Sequence, residues 1–365
     1  TDVFDTWMDS SITCAVHAGW PDRTDWKRFF PADLHPSGHE IIRTWAYYLM
    51  VRHLALFDEK PYKSVLINGM VLGNDGRKMS KSLGNYITAP EVLEKHGADA
   101  ARQWAAAGGK TGADIPFRWS DVEYGWRFLI KLWNASRFIE RQLRDYKKQK
   151  RSTVTLRTID KWLLTRLQRL TESVTEAMEN YEFNKAIEET RLFTWHILCD
   201  QYIEAVKHRL YRDEAPEERI PVQYTLHKAL YDILHLLAPI CPFITEEIYN
   251  ALYLKHEDYA SIHVSNWPEY QEELIDDHAE RIGELTIAII NDIRRLKARE
   301  KVPLNMSVKE VTILADEEER LESIKEERSD IEGTCKIERL LFKKRVGKEG
   351  IELENYEGIA LRLVP

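Results

Sequence analysis

Gly73-Asn74-Asp75-Gly76-Arg77-Lys78-Met79-Ser80-Lys81-Ser82 forms a short polar loop after the apolar run Val65-Leu66-Ile67. Two lysines three positions apart, separated by a methionine and a small hydroxyl residue, can turn two ammonium groups toward one site. Fixed cations near a strand end suit a polyphosphate, whose negative charge grows and shifts during phosphoryl or nucleotidyl transfer. The glycines let the loop take positive φ and approach a ligand closely. The G-x-x-x-x-G-K-[ST] spacing of a Walker loop is absent. An exposed basic turn would carry the same pair of lysines, so the neighbouring segments have to decide between the two readings.

The chain has 365 residues, 44% of them apolar and 31% charged. That composition predicts a soluble globular protein of two or three domains with ample core. No run of about 18 apolar residues occurs, so no membrane span is expected. The opening Thr1-Asp2-Val3-Phe4 has neither an initiator Met nor a signal-peptide pattern and reads as the middle of a longer protein. Cys14, Cys199, Cys241 and Cys335 lack C-x-x-C spacing, which predicts neither a structural metal nor a disulfide framework and fits a cytoplasmic location. With a net charge of −8, any contact with nucleic acid must come from local patches.

Residues 1–107 read as α/β. Ile41, Ile42, Trp45, Leu49 and Leu54 recur at helical spacing and predict a helix over Glu40–Phe57 with that stripe inward. Val65-Leu66-Ile67 predicts a short buried strand. Thr88-Ala89-Pro90-Glu91 predicts an N-cap with Pro in the first turn and a helix to about His96; Asp99 opens another, ended by Gly108-Gly109. Residues 108–124 read as a linker or stem-contact region. From Asp121 the pattern becomes long amphipathic helices over about 121–147, 157–180, 182–212, 221–238, 242–255 and 274–299, a bundle with short connections. After Pro303 the texture predicts a strand over 309–315, a charged helix over 316–332, and one or two strands over 351–364. The resulting division is 1–107, 108–124, 125–272 and 273–365.

Further segments carry chemistry. Trp7, among Asp5, Thr6, Asp9 and Ser10, can line a small apolar pocket with a polar mouth. Gly38-His39-Glu40 opens a helix, where backbone N–H groups favour polar ligands and a carboxylate can accept from ribose hydroxyls. His35-Pro36-Ser37-Gly38-His39 superficially looks like an H-x-G-H element, but Pro36 disturbs it. Residues 126–151 hold nine Lys or Arg against two acidic residues, interleaved with Trp126, Phe128, Trp133 and Phe138. Cations for phosphate and an aromatic for stacking are how single-stranded loops are bound. Phe128 and Trp133 are expected in the core, and Phe138 could face either way.

The string Lys78–Ser82, continued by Leu83-Gly84-Asn85, resembles the KMSKS signature of class I aminoacyl-tRNA synthetases. An aliphatic-pocket segment, then G-x-E-I, then KMSKS, then a helical bundle is similar to the C-terminal half of such an enzyme, over residues 1 to about 300. Gly112-Ala113-Asp114-Ile115-Pro116-Phe117 and Lys131–Phe138 look most like the valyl family, whereas Met8-Asp9 leans toward the isoleucyl one; a tail without a long coiled coil implies the archaeal-like branch. The implied fold is the second half of a Rossmann-like catalytic domain, a helical-bundle anticodon-binding domain and a small α+β tail. By resemblance, Trp7 and Ile41 line the valine pocket. Gly38, Glu40, Val71 and Leu72 hold the adenosine. Met79, Ser80 and Ser82 complete the loop in which Lys78 and Lys81 meet the phosphates, and Asn134, Arg137 and Phe138 meet the anticodon. The implied partners are valine, ATP with Mg2+, tRNA(Val) and the N-terminal half of the same enzyme, in a monomer. A stand-alone tRNA-binding relative is the competing reading.

Overall fold

The computed structural model describes residues 2–212, 214–354 and 356–364. Two compact units emerge. The first comprises the residues up to Trp126 together with Ala177–Ala186, and the second Arg127–Glu176 and the residues from Ile187 onward. No helix among the described residues is long and apolar enough to cross a membrane.

In the first unit, helices α1 (Thr6–Ser10) and α2 (Thr13–Ala18) precede strand β1 (Ala32–Gly38). Helix α3 (Tyr47–Phe57) leads to β2 (Tyr62–Asn68) and the two-residue β3 (Val71–Leu72). Helices α4 (Ala89–His96) and α5 (Ala98–Ala107) follow, then β4 (Ile115–Pro116) and the start of α6 (Trp119–Gln142). Ala15, Ala18 and Phe30 form a small core with Trp20, Trp26 and Phe57 packed on it. His53 ties α2 to α3 inside this core. Its Nε2 accepts from the Ala15 N–H at 3.2 Å and its Nδ1 donates to the Leu49 carbonyl at 2.8 Å. That pattern requires the neutral ring, and burial lowers the His53 pKa.

Three expectations for this unit need correction. The helix predicted from Glu40 is α-helical only from Tyr47; His39–Ile41 is a 3₁₀ turn and Ile42–Ala46 is π-helical. The Tyr47 N–H reaches back to the Ile42 carbonyl, and the extra residue per turn breaks the 3.6 period on which the stripe was counted. Consequently Leu49 is buried, but Ile42 and Leu54 are 43% and 46% exposed. Strand β2 exists and pairs in parallel with β1, but Val65 is exposed and Leu66 and Ile67 are only half-buried. In a two-stranded sheet both strands are edges, so neither gains the cover of an interior strand. The segment 108–124, read as linker, contains β4, which pairs in parallel with β3 through Val71↔Ile115 and Leu72↔Pro116.

The cap at Thr88 is as expected: its hydroxyl accepts from the Glu91 N–H at 3.3 Å, with Pro in the first turn.

The second unit holds the bundle. It is built from the later turns of α6, from α7 (Thr158–Glu179) as far as Glu176, from α8 (Phe183–Leu192) beginning at Ile187, and from α9 (Glu204–Leu210), α10 (Pro216–Leu237), α11 (Pro242–Leu252) and α12 (Asp277–Arg299). A π-helical stretch, Phe193–Ile203, joins α8 to α9. Leucine, isoleucine and valine side chains fill the interior, with Leu163, Leu167, Val222, Leu226, Leu230 and Ile289 fully buried. Helix α10 starts five residues earlier than its apolar pattern predicts, because Pro216 serves as a first-turn residue.

The α+β tail belongs to this same unit. It comprises β5 (Val308–Ala315), α13 (Glu318–Glu326), α14 (Arg328–Cys335), β6 (Ile337–Lys344), β7 (Ile351–Leu353) and β8 (Tyr356–Val364) in the sheet order β6-β5-β8-β7. Strand β6 is absent from the sequence reading. Its residues do not alternate cleanly, because as an edge strand it packs only some of its side chains. The single charged helix expected over 316–332 is two helices broken at Glu327. The tail is pinned to the bundle by the Arg157 guanidinium on Ser329 at 2.8 Å and Asp330 at 3.2 Å, and by the Thr334 hydroxyl on the Ala205 carbonyl at 2.7 Å. The buried Lys297 ammonium donates to the carbonyls of Leu304, Met306 and Cys335.

Candidate functional site

Strands β1 and β2 end side by side, with Gly38 opposite Asn68. Ligands of parallel α/β sheets bind beyond the carboxyl ends of the strands. Two of the predicted segments, Gly38–Glu40 and Asn68–Leu72, start at that edge. The Glu40 carboxylate folds back over its own turn, its free end 2.5 Å from where a Cβ on Gly38 would lie. Glu40 itself is exposed.

Asp114 joins these segments. Its Oδ1 accepts from the His39 ring at 2.9 Å and from the Met70 backbone N–H at 2.7 Å. The Met70 bond first and the His39 bond second hold the Asp114 carboxyl below the usual carboxylate range. The strand next to it is zipped in place: the Ile115 N–H donates to the Met70 carbonyl at 2.8 Å and the Phe117 N–H to the Leu72 carbonyl at 2.9 Å. Gly69 is required here, since a Cβ would fall 1.8 Å from the Ala113 carbonyl oxygen.

The lysine loop turns on Gly73–Gly76 and returns against β3 through a bridge between Leu72 and Lys78. Asn85 organises it. Its side-chain oxygen accepts from the Ser80 N–H at 2.9 Å, and its amide donates to the Lys78 carbonyl at 3.3 Å and to Asp75 at 3.1 Å. Asp75 also receives the Arg77 backbone N–H and guanidinium; these bonds, the backbone one foremost, hold its carboxyl at about 2. Ser80 and Ser82 share a hydrogen bond at 2.7 Å. The ammonium of Lys81 lies 5.9 Å from the Tyr86 ring centroid. Lys78 and Lys81 are both exposed, while Met79 is half-buried. The loop is therefore fixed by side chains other than its lysines, which leaves both cations open to a ligand.

Trp7 lies on α1, whose N-terminus is capped by the Asp5 carboxylate accepting from the Trp7 N–H at 2.8 Å. Its ring meets Tyr48 edge-on at 5.7 Å. Both line an apolar cavity of about 910 Å³ with Met8, Tyr47, Val51 and Leu56. Ile41, half-buried in the 3₁₀ turn, lies outside that lining, so the structure does not join it to Trp7 there.

On α6, Phe128 is fully buried as expected, but Trp133, expected in the core, is 38% exposed. It shares the exposed face with Ile130, Asn134, Arg137 and Arg141 at helical spacing. Phe138 is half-buried, with the Lys207 ammonium 5.8 Å from its ring centroid. Lys131 is half-buried against Asp200 at 2.8 Å, which removes it from the expected row of open cations. Beyond Arg141, a cavity of about 300 Å³ is lined by Arg144, Tyr146, Lys148, His227 and Lys255. Among the described residues no cluster of three or more His, Cys, Asp or Glu could hold a metal ion.

Comparison with known proteins finds two family models along the chain. Residues 1–118 match the family model of class I tRNA synthetases (I, L, M and V), and residues 160–313 match that of the anticodon-binding domain of tRNA ligases. Two segments of the chain are thus similar to tRNA-synthetase domains. Among relatives, a valine–tRNA ligase of Methanothermobacter thermautotrophicus is 48% identical over 97% of the chain and 39% of its own length. Those of Pyrococcus horikoshii and Pyrococcus furiosus are 44% and 43% identical over 93% of the chain and 39% of their own lengths. The chain thus spans about two fifths of the length of the curated relatives it matches. Among solved structures, a LeuRS of Agrobacterium radiobacter in ternary complex with tRNA and LeuAMS aligns with a TM-score of 0.62 at 22% identity, covering 75% of this chain and 34% of that one. A methionyl-tRNA synthetase of Mycobacterium tuberculosis with methionyl-adenylate aligns at 0.56 and 20% identity, covering 67% and 49%. These two likenesses speak for the fold.

Asp114, Asn85 and Tyr48 are candidate-site residues that sequence reasoning did not single out, and Trp133 is one that it placed in the core. Asp114 and Asn85 each follow a glycine of positive φ by one or two residues, which was the available signal.

Proposed function

We propose that this chain is the part of a valine–tRNA ligase that carries the lysine loop and the anticodon-binding bundle. Its identity of 43–48% to archaeal valine–tRNA ligases along nearly its whole length carries the reading. The reaction is activation of valine by ATP and transfer to tRNA(Val). A valine carboxylate oxygen attacks the α-phosphorus of ATP, the bond to the β-phosphate breaks, and pyrophosphate leaves. A hydroxyl at the tRNA 3′ end then attacks the adenylate carbonyl and AMP leaves.

Most of the predicted residues have a part in this scheme. Lys78 and Lys81 stabilise the charge gathering on the leaving pyrophosphate, which arrives with Mg2+ as part of the ATP complex. Ser80 and Ser82 shape the loop, and Met79 anchors it. Glu40 accepts from the ribose hydroxyls over Gly38, and the backbone of Val71 and Leu72 meets the adenine. Trp7, in its apolar cavity, bounds the aliphatic side chain, whereas Ile41, outside that lining, is given no part in it. Asn134, Arg137 and Phe138 contact the anticodon. Catalysis here is positioning and electrostatic stabilisation, without a covalent enzyme intermediate.

The test is amino-acid-dependent ATP–pyrophosphate exchange and aminoacylation by the full gene product. Exchange driven by valine and charging of tRNA(Val) support the reading, and preference for isoleucine with its tRNA overturns it. The 365-residue polypeptide by itself, which contains no H-x-G-H segment, is expected to catalyse no appreciable valine-dependent exchange.

A further inference from the structure

We propose that Asp114 is a positioning residue of the nucleotide site: one carboxylate oxygen locks the Gly38–Glu40 turn to the β3 segment, so that ribose and adenine contacts keep a fixed separation. The inference rests on the ATP-site reading of those two segments.

The geometry has three parts. The first is convergence. Asp114 Oδ1 takes the His39 ring N–H at 2.9 Å and the Met70 backbone N–H at 2.7 Å. Since a carboxylate can only accept, His39 carries its hydrogen on Nε2. His39 is the immediate neighbour of Glu40, and Met70 the immediate neighbour of Val71. One atom therefore links the residue that would hold the ribose to the backbone that would hold the base.

The second part is rigidity. The Gly112 N–H donates to the Ile67 carbonyl at 2.8 Å, just before Asp114, and the Ile115 N–H donates to the Met70 carbonyl just after it. The contact of Gly69 with the Ala113 carbonyl closes the remaining gap. Asp114 is thus clamped on both sides before its side chain acts, and a carboxylate on so fixed a backbone transmits its position to whatever it bonds.

The third part is location. The His39 and Asp114 side chains are 38% and 42% exposed, at the carboxyl edge of the β1–β2 pair. A side-chain hydrogen bond so exposed contributes little to folding stability. Its value lies in orienting the two segments, not in holding the domain together. Asp114 does not touch the reacting phosphates, so its loss should loosen ATP binding more than it slows the chemical step.

The experiment compares Asp114→Ala and Asp114→Asn with wild type in the full gene product. The readouts are KM for ATP, KM for valine and kcat in pyrophosphate exchange, together with Tm. Asn keeps a side-chain oxygen that accepts from both donors. The expected result is a rise of about tenfold in the ATP KM for Asp114→Ala, with kcat, valine KM and Tm close to wild type, and an Asp114→Asn variant within about threefold of wild type. An unchanged ATP KM in Asp114→Ala overturns the proposal. So does a parallel loss in kcat, valine KM and Tm, which would mark the residue as structural. A non-hydrolysable ATP analogue titrated calorimetrically separates this outcome from failure of the functional reading. If no amino acid drives exchange yet the analogue binds wild type and binds Asp114→Ala about tenfold more weakly, the function is wrong and the positioning role stands. Equal binding by both sinks the positioning role.

Discussion

Arg209 and Asp160 meet inside the helical bundle as a two-pronged ion pair with neither side chain exposed. Nη1 lies 3.0 Å from Oδ1 and Nη2 2.8 Å from Oδ2. The Tyr202 hydroxyl donates to Oδ1 at 2.8 Å, and the Arg157 backbone N–H reaches Oδ2 at 3.1 Å. The pair joins the start of α7 to the end of α9, so the bundle's helical register depends on it.

Arg209→Met leaves a buried carboxylate without its counter-charge. The expected loss is about 3–5 kcal/mol in urea unfolding at neutral pH. Adding Asp160→Asn removes the stranded charge while still accepting from Tyr202, and should restore part of the loss. A double variant no more stable than Arg209→Met would contradict the account.

Glu327 is buried at the break between α13 and α14, and one carboxylate oxygen has no protein partner. Burial above all pushes it up to about 7; the Thr158 hydroxyl, next in size, lowers it, and the neighbouring carboxylates of Asp330, Asp160 and Glu326 add smaller upward pushes. The folded protein therefore holds this proton more tightly than the unfolded chain. The favourable contribution is complete below the unfolded value near 4.5, declines as pH rises through about 7, and is absent above. Glu327→Gln should flatten that slope and stabilise the protein at pH 8 by on the order of 1–3 kcal/mol. Melting curves of both forms at pH 5 and pH 8 test it; an equal difference at the two pH values would refute the assignment.

Asn85 holds the lysine loop without reaching for a ligand. Asn85→Ala should lower the exchange rate of the full gene product about tenfold with little change in Tm, while Lys78→Ala and Lys81→Ala should each cost on the order of 100-fold. Full activity in Asn85→Ala would mean that the loop is ordered by other contacts when nucleotide binds.

Trp133 and Phe138 present different risks on α6. Trp133→Ala should weaken tRNA binding by about 1–3 kcal/mol with Tm unchanged, as expected of an exposed stacking platform. Phe138→Ala should weaken binding and also lower Tm, because half of its ring is packed. Arg137→Gln should reduce the slope of log K against log salt by about one unit. Filter binding at several salt concentrations reads all three, and a Trp133→Ala variant with wild-type affinity would remove that face from the interface.

Much of the fold is legible in the sequence because the signals are local. The Thr88 cap, the helices α4, α5, α7 and α12, and strand β5 fall where side-chain chemistry within a few residues predicts them. The misses arise where neighbours in space override that pattern. Trp133 repeats at an inward-looking interval but is exposed, and the α3 stripe is shifted by a π-helical turn that no apolar period announces. Strand β6 is selected by its parallel pairing with β5, from Val308↔Ile337 to Ala315↔Lys344.

The sequence by itself determined that two lysines sit in a glycine-flanked loop beside a strand, and that an amphipathic bundle with a basic helix follows. Those are properties of residue type and spacing, and they persist in any conformation. Only the tertiary structure decided that Asp114 bonds to His39, 75 positions earlier, and to the Met70 amide, 44 positions earlier. A hydrogen bond is formed only within about 3 Å. Which distant residues come that close depends on strand register, the turn at Gly69 and the packing that holds them.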